Sequence, residues 1–131
     1  MKLYKPLTSN EESIARQIID AGYRVHKKLG PGMLESVYET CLCYELEKRR
    51  LTYQRQVHIP VVYDQIRLEQ AFRLDLLVEN VVICELKSTE LVTRTHYAQL
   101  LSYLRLTGKR LGLLLNFNVP LIKEGIKRII L

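Results

Sequence analysis

No apolar run in this 131-residue chain approaches the ~20 residues needed to cross a bilayer. The opening residues, Met1 to Pro6, carry no hydrophobic core of a secretory signal. A cytoplasmic protein with no membrane association is the expectation. Cysteine is scarce, and the three present are an odd number. Cys41 and Cys43 are too close together for a disulfide framework and have the wrong spacing for a zinc knuckle. Reduced, structural cysteines are expected. There is no internal repeat, linker or low-complexity stretch, so residues 1–131 read as one domain.

Apolar residues make up 47% of the chain, enough for a real core. The net charge of +6 suits a polyanionic partner. The cations are scattered, however, and the one short run, Lys48-Arg49-Arg50, reads as the positively charged end of a helix.

Residues 1–8 read as an extended lead-in. Ser9 or Asn10 is the expected cap of a helix whose apolar stripe is Ile14, Ile18, Ala21, Gly22, Val25 and Leu29. Gly30-Pro31-Gly32 breaks it. A second helix is expected from about Leu34 to Arg50, striped by Tyr38, Cys41, Leu42 and Leu46. The pattern then changes to period two over Tyr53–Tyr63, a strand whose Pro60 marks an edge or a bulge. Asp64-Gln65 makes a turn, and further strands follow over Ile66–Val78 and Val81–Ser88. A helix capped by Thr95 runs to about Leu106 and stops at Gly108. The continuous apolar run Leu111–Phe117 suits a strand buried on both faces and parallel to a neighbour. A helical turn at Leu121–Glu124 and a last strand at Ile126–Leu131 complete the chain. The fold class is α/β, in the order α-α-β-β-β-α-β, with a mixed sheet flanked by helices.

Chemistry concentrates between Arg73 and Ser88. Two Val/Leu/Ile-rich runs meet at Glu79-Asn80, yet Asp75 and Glu85 sit inside them, where an unpartnered carboxylate is costly. Lys87 follows Glu85 by one strand period and so shares its face. Parity supplies a condition. If Glu79-Asn80 were a two-residue loop, Asp75 would face Cys84, and Glu85 would point to the opposite side. The two acids share a face only with an odd loop, such as Glu79-Asn80-Val81, or with a bulge; Asn80 tolerates the backbone that such a loop uses.

These residues, in this order, resemble the PD-(D/E)xK nuclease superfamily. The resemblance spans Ile14 to Leu131 and rests on Arg73-Leu-Asp75, Glu85-Leu-Lys87, Gln99-Leu-Leu-Ser-Tyr103 and Gly112-Leu-Leu-Leu-Asn-Phe117. Gly32-Met-Leu-Glu35-Ser-Val-Tyr38 is similar to the motif of the GxxExxY family, and the Gln99–Tyr103 pair looks like the RecB-type branch. The resemblance implies a restriction-endonuclease-like core and a metal-dependent nuclease. Asp75 and Glu85 match the metal carboxylates, with Leu74 in place of the proline that names the motif. Glu35 matches a third carboxylate from the first core helix. Lys87 matches the lysine assisting the attacking water. Gln99 and Tyr103 match residues that orient the site or contact the nucleic-acid backbone. Carboxylates without histidine favour Mg²⁺ or Mn²⁺. The implied partner is nucleic acid, DNA before RNA, and the compact size admits a homodimer.

Blander readings stand beside these. Asp75 and Glu85 can instead pair with Arg73 and Lys87. Glu35 can simply complement its helix dipole, and Gln99 and Tyr103 can be ordinary helix surface. His26, His58 and His96 read as structural. The alternative function is a non-catalytic nucleic-acid-binding or interaction module that retains the fold.

Overall fold

The computed structural model describes residues 5–131; residues 1–4 of the expected lead-in lie outside the described residues. Helix α1 spans Ser9–Leu29, but its cap is Thr8. Thr8 accepts from the Glu11 N–H at 3.0 Å, and Glu11 accepts from the Thr8 N–H at 2.7 Å. That reciprocal box satisfies two amide donors. Helix α2 spans Glu35–Lys48. Strands β1 (Tyr53–Tyr63), β2 (Ile66–Val78) and β3 (Val82–Lys87) form the expected antiparallel meander. Pro60 falls where the β1–β2 register shifts, on an edge strand, so both of its expected settings hold.

Helix α3 (Arg94–Thr107) is capped by Thr93, two residues earlier than expected. Here His96 takes the place a glutamate usually fills: its Nδ1 accepts from the Thr93 N–H at 3.1 Å. Gly108 ends the helix in the left-handed region. The chain then enters β4 (Leu111–Asn116), parallel to β3, and finishes through α4 (Ile122–Gly125) and β5 (Ile126–Ile130). The strands lie in sequence order, β1-β2-β3-β4-β5, in one mixed sheet. No described helix is long and apolar enough to cross a membrane.

Each face of the sheet carries its own core. Ile14, Ile18, Leu42 and Leu46 of α1 and α2 cover Leu76, Val78, Cys84, Leu86 and Leu113. On the opposite face Leu100 and Leu104 of α3 cover Leu77, Ile83 and Leu114. Helix α3 can lie this close because β4 offers no side chain at Gly112, where a Cβ would meet the Leu100 side chain at 2.9 Å. Tyr38, fully buried, stacks on Phe117 at 4.4 Å. Its hydroxyl donates to the Gly30 carbonyl at 2.5 Å and accepts from the Met33 N–H at 3.1 Å. The Gly30–Met33 turn is therefore pinned to the core by one phenol. That role accounts for the tyrosine three residues after Glu35 without any chemistry. The buried thiols of Cys43 and Cys84 are pushed up by burial, as structural cysteines should be.

Candidate metal centre

The turn between β2 and β3 decides the site. Glu79 and Asn80 both take positive φ, 54° each, and the Val81 N–H donates to the Val78 carbonyl at 3.0 Å. Pairing resumes one residue late, at Val78 with Val82, Leu77 with Ile83 and Leu76 with Cys84. The loop therefore has three residues, and the next pair in that register is Asp75 with Glu85.

At that position the side chains replace the ladder. The Asp75 N–H donates to Glu85 Oε1 at 3.2 Å, and the Leu86 N–H donates to Asp75 Oδ2 at 2.9 Å. Each carboxylate thus spends one oxygen on a backbone amide. Burial is the main reason that both acids are held above the ordinary carboxylate range. For Glu85 the charge of Asp75 adds to it; for Asp75 the charges of Glu39 and Glu35 do. Lys87, half-buried on the same face of β3 as Glu85, pulls both acids the other way. Yet among the described residues neither carboxylate forms an ion pair, with Arg73, Lys87 or anything else. A buried and a half-buried acid side by side, with no cationic side chain paired to either, are a donor set that a hard divalent ion neutralises.

The other expected residues lie around this pair at different removes. Tyr103 comes in from α3. Burial, then the charges of Glu85 and Asp75, raise its phenol, and its ring stacks on Phe72 at 4.5 Å. Gln99 is exposed one helical turn before it. Glu35 is exposed at the first turn of α2, where its Oε1 accepts from the Ser88 N–H at 3.4 Å. Among the described residues no three His, Cys, Asp or Glu side chains gather closely enough to ligate one ion unaided. The donors fit a cation that keeps much of its own hydration, as Mg²⁺ does.

The structure adds neighbours that the sequence reading did not single out. Glu39 is buried, one turn after Glu35 on α2. It is gripped by Arg55 through Nε at 3.0 Å and a terminal nitrogen at 2.9 Å, and by the Gln56 amide at 2.5 Å. Gln56 lies between Arg55 and Val57, whose partners are Leu76 and Leu74, so it stands across from Asp75. Its φ is +51°, and its Oε1 is buried without a hydrogen-bond partner. The i, i+4 spacing of Glu35 and Glu39 was the available sequence signal; nothing in the sequence marks Gln56. Two further polar clamps hold the end of β3. Ser88 Oγ donates to the Met33 carbonyl at 2.6 Å. Buried Asn116 donates to the Thr89 carbonyl at 2.9 Å and accepts from the Thr89 N–H at 3.1 Å.

A family model described as the PD-(D/E)XK nuclease superfamily matches residues 12–129. No match was found among curated proteins or among solved structures.

Proposed function

The chain belongs to the PD-(D/E)XK nuclease superfamily, and from that premise we propose that it is a metal-dependent nuclease hydrolysing phosphodiester bonds. One observation carries the reading: half-buried Asp75 and buried Glu85 are tied to each other's strands, with no ion-pair partner among the described residues, on the face that Lys87 shares. Asp75 and Glu85 would hold Mg²⁺ or Mn²⁺, with Glu35 supplying further negative charge toward it. When bound, such an ion acts as a Lewis acid on the phosphate and acidifies water.

The protein's own groups perform the rest. Lys87 brings a positive charge to where negative charge builds in the transition state, usually the largest contribution in such sites. Because the Asp75 and Leu86 amides each fix one carboxylate oxygen, both acids are oriented before anything binds. Tyr103, flat against Phe72, and exposed Gln99 present a face on α3 for the nucleic-acid backbone. Within the superfamily, Gly32, Glu35 and Tyr38 on the α1–α2 junction favour the GxxExxY family, and Gln99 with Tyr103 favours the RecB-type branch.

The test is a nuclease panel of single- and double-stranded DNA and RNA with Mg²⁺ or Mn²⁺, wild type against Glu85→Ala. Metal-dependent cutting by the wild type, lost in the variant, is expected. No cutting of any substrate with either metal would sink the proposal.

A further inference from the structure

A large cavity lies apart from the carboxylates, on the α1 side of the Gly30–Leu34 turn. It encloses about 820 Å³ between the end of α1 and the segment that leads into α4. Four cations, Arg24, Lys27, Arg49 and Lys123, line it against one carboxylate, Asp20. Arg24 and Arg49 both pair with buried Glu45, each at 3.3 Å. Lys27 and Lys123 are exposed and have no ion-pair partner among the described residues. The apolar part of the lining includes Tyr23, 44% exposed, and Leu121, 56% exposed. Helix dipole alone calls for cations near the end of α1, and Lys28 would meet that need as well as Lys27. It does not call for Lys123, which comes from a different element and lines the same cavity.

The turn that follows Gly30 and Pro31 of this lining is apolar and exposed. Met33 and Leu34 stand 41% and 74% exposed on it. A smaller cavity of about 410 Å³ is lined by Met33, Leu34, Glu35, Ser36 and Ser88. Ser88 directly follows Lys87, and Tyr38 and Ser88 hold the turn by hydrogen bonds. The Gly30–Leu34 turn therefore contributes to both cavities, one beside Ser88 and the other with two ammonium groups unpaired among the described residues and an exposed phenol.

Resting on the nuclease reading, we infer that this cavity is a subsite for single-stranded nucleic acid flanking the bond to be cut. An unstacked nucleotide offers an anionic backbone and an aromatic face, the two chemistries present here. A concave site of this volume takes a splayed nucleotide, whereas a duplex presents its bases stacked and its phosphates outside. The strand would cross Met33 and Leu34, place phosphates at Lys27 and Lys123, and lay a base on Tyr23.

The test is fluorescence anisotropy with a labelled twelve-nucleotide DNA strand and its duplex, in a Glu85→Ala background over a salt series. Lys27→Glu with Lys123→Glu should weaken single-strand binding at least tenfold. It should also reduce the slope of log affinity against log salt by about 1.4, from roughly 0.7 for each of two lost phosphate contacts. Tyr23→Ala, which changes no charge, should weaken the single strand several-fold more than the duplex. A strand carrying 5-iodouracil should crosslink to Tyr23. Lys109→Glu with Lys127→Glu, neither of which lines the cavity, is the control of equal charge change. Unchanged affinity in the cavity double variant, or an equal loss in the control, overturns the subsite. Cutting is scored separately on the Glu85 wild type. A chain that binds through the cavity but cuts nothing keeps the subsite and loses the nuclease reading. One that cuts while the cavity variants bind normally does the reverse.

Discussion

The amide of Asp75 donates to the side chain of Glu85 at 3.2 Å, while the side chain of Asp75 takes the amide that follows Glu85 at 2.9 Å. The exchange holds two carboxyl groups in register at a cost in repulsion and lost hydration. Replacing either by its neutral isostere keeps an acceptor oxygen and removes the charge. Asp75→Asn and Glu85→Gln are therefore expected to melt no lower than the wild type in metal-free buffer. Cutting should fall roughly a hundredfold or more, since even groups one layer behind a metal commonly cost ten- to a hundredfold. Parallel melting curves and single-turnover assays check the pair of outcomes.

Stability without metal should depend on pH with a definite sign. Glu85 is raised from 4.5 to about 8 and Asp75 is raised as well, so the folded chain binds more protons than the unfolded one across that span. Stability is then complete below the unfolded values and falls as pH rises toward about 8. Denaturant titrations in chelator from pH 5 to 9 should show this decline, and Glu85→Gln should flatten most of it. A divalent ion should restore the loss, by about 2.7 kcal/mol at a hundred times its dissociation constant.

Lys87 separates binding from chemistry. It sits within the field of both acids but forms no ion pair with either. Lys87→Ala should leave Mn²⁺ affinity unchanged or slightly tighter, because it removes a positive charge near the cation. Cutting should still fall about 10²–10³-fold, the usual scale for one lost electrostatic stabiliser. Calorimetric titration with Mn²⁺ beside the activity assay distinguishes this from Glu85→Ala, which should lose both.

Most of the sheet was legible because its signals are local. Period two in β1, the apolar run of β4 and Gly108 each state their element in a few residues. Parity even exposed the condition for Asp75 and Glu85 to meet, and Glu79-Asn80-Val81 satisfies it. Whether the turn would be odd was not legible: two successive left-handed residues, one of them a glutamate, are a choice made by the packing of both strands. Caps shifted for a similar reason. Thr93 won over Thr95 because His96, three residues on, completes the box, whereas Ala98 could not; Thr8 and Ser9 each have a glutamate three residues on, so spacing alone did not choose between them. The network behind Asp75 joins α2 to β1 across a long sequence separation, and no spacing rule links Glu39 to Arg55 and Gln56.

Glu39 supports the site from behind. Its carboxylate is buried, but Arg55 is partly exposed and can return to water if released. Glu39→Gln should therefore cost about 1.5–3 kcal/mol, the range for hydrogen bonds to a charged group, less than the loss from a fully enclosed pair. Removing its charge should also let Asp75 ionise more readily, since Glu39 holds Asp75 up. Carboxyl chemical shifts followed through a pH titration would show a lower midpoint for Asp75 in Glu39→Gln than in the wild type.

Gln56 makes the most specific stability forecast. At φ +51° a residue with a side chain is strained by roughly 1–3 kcal/mol, and glycine is not. Gln56→Gly forfeits the hydrogen bond to the Glu39 carboxylate, about 1.5–3 kcal/mol, but relieves that strain and removes a buried, unpartnered oxygen. The two effects should nearly cancel, leaving stability within about 1 kcal/mol of wild type. Gln56→Val keeps no hydrogen bond and puts a β-branched side chain where it is least tolerated, so it should lose several kcal/mol. Equal destabilisation by glycine and valine in urea titrations would mean that the side chain, not the backbone, is what position 56 contributes.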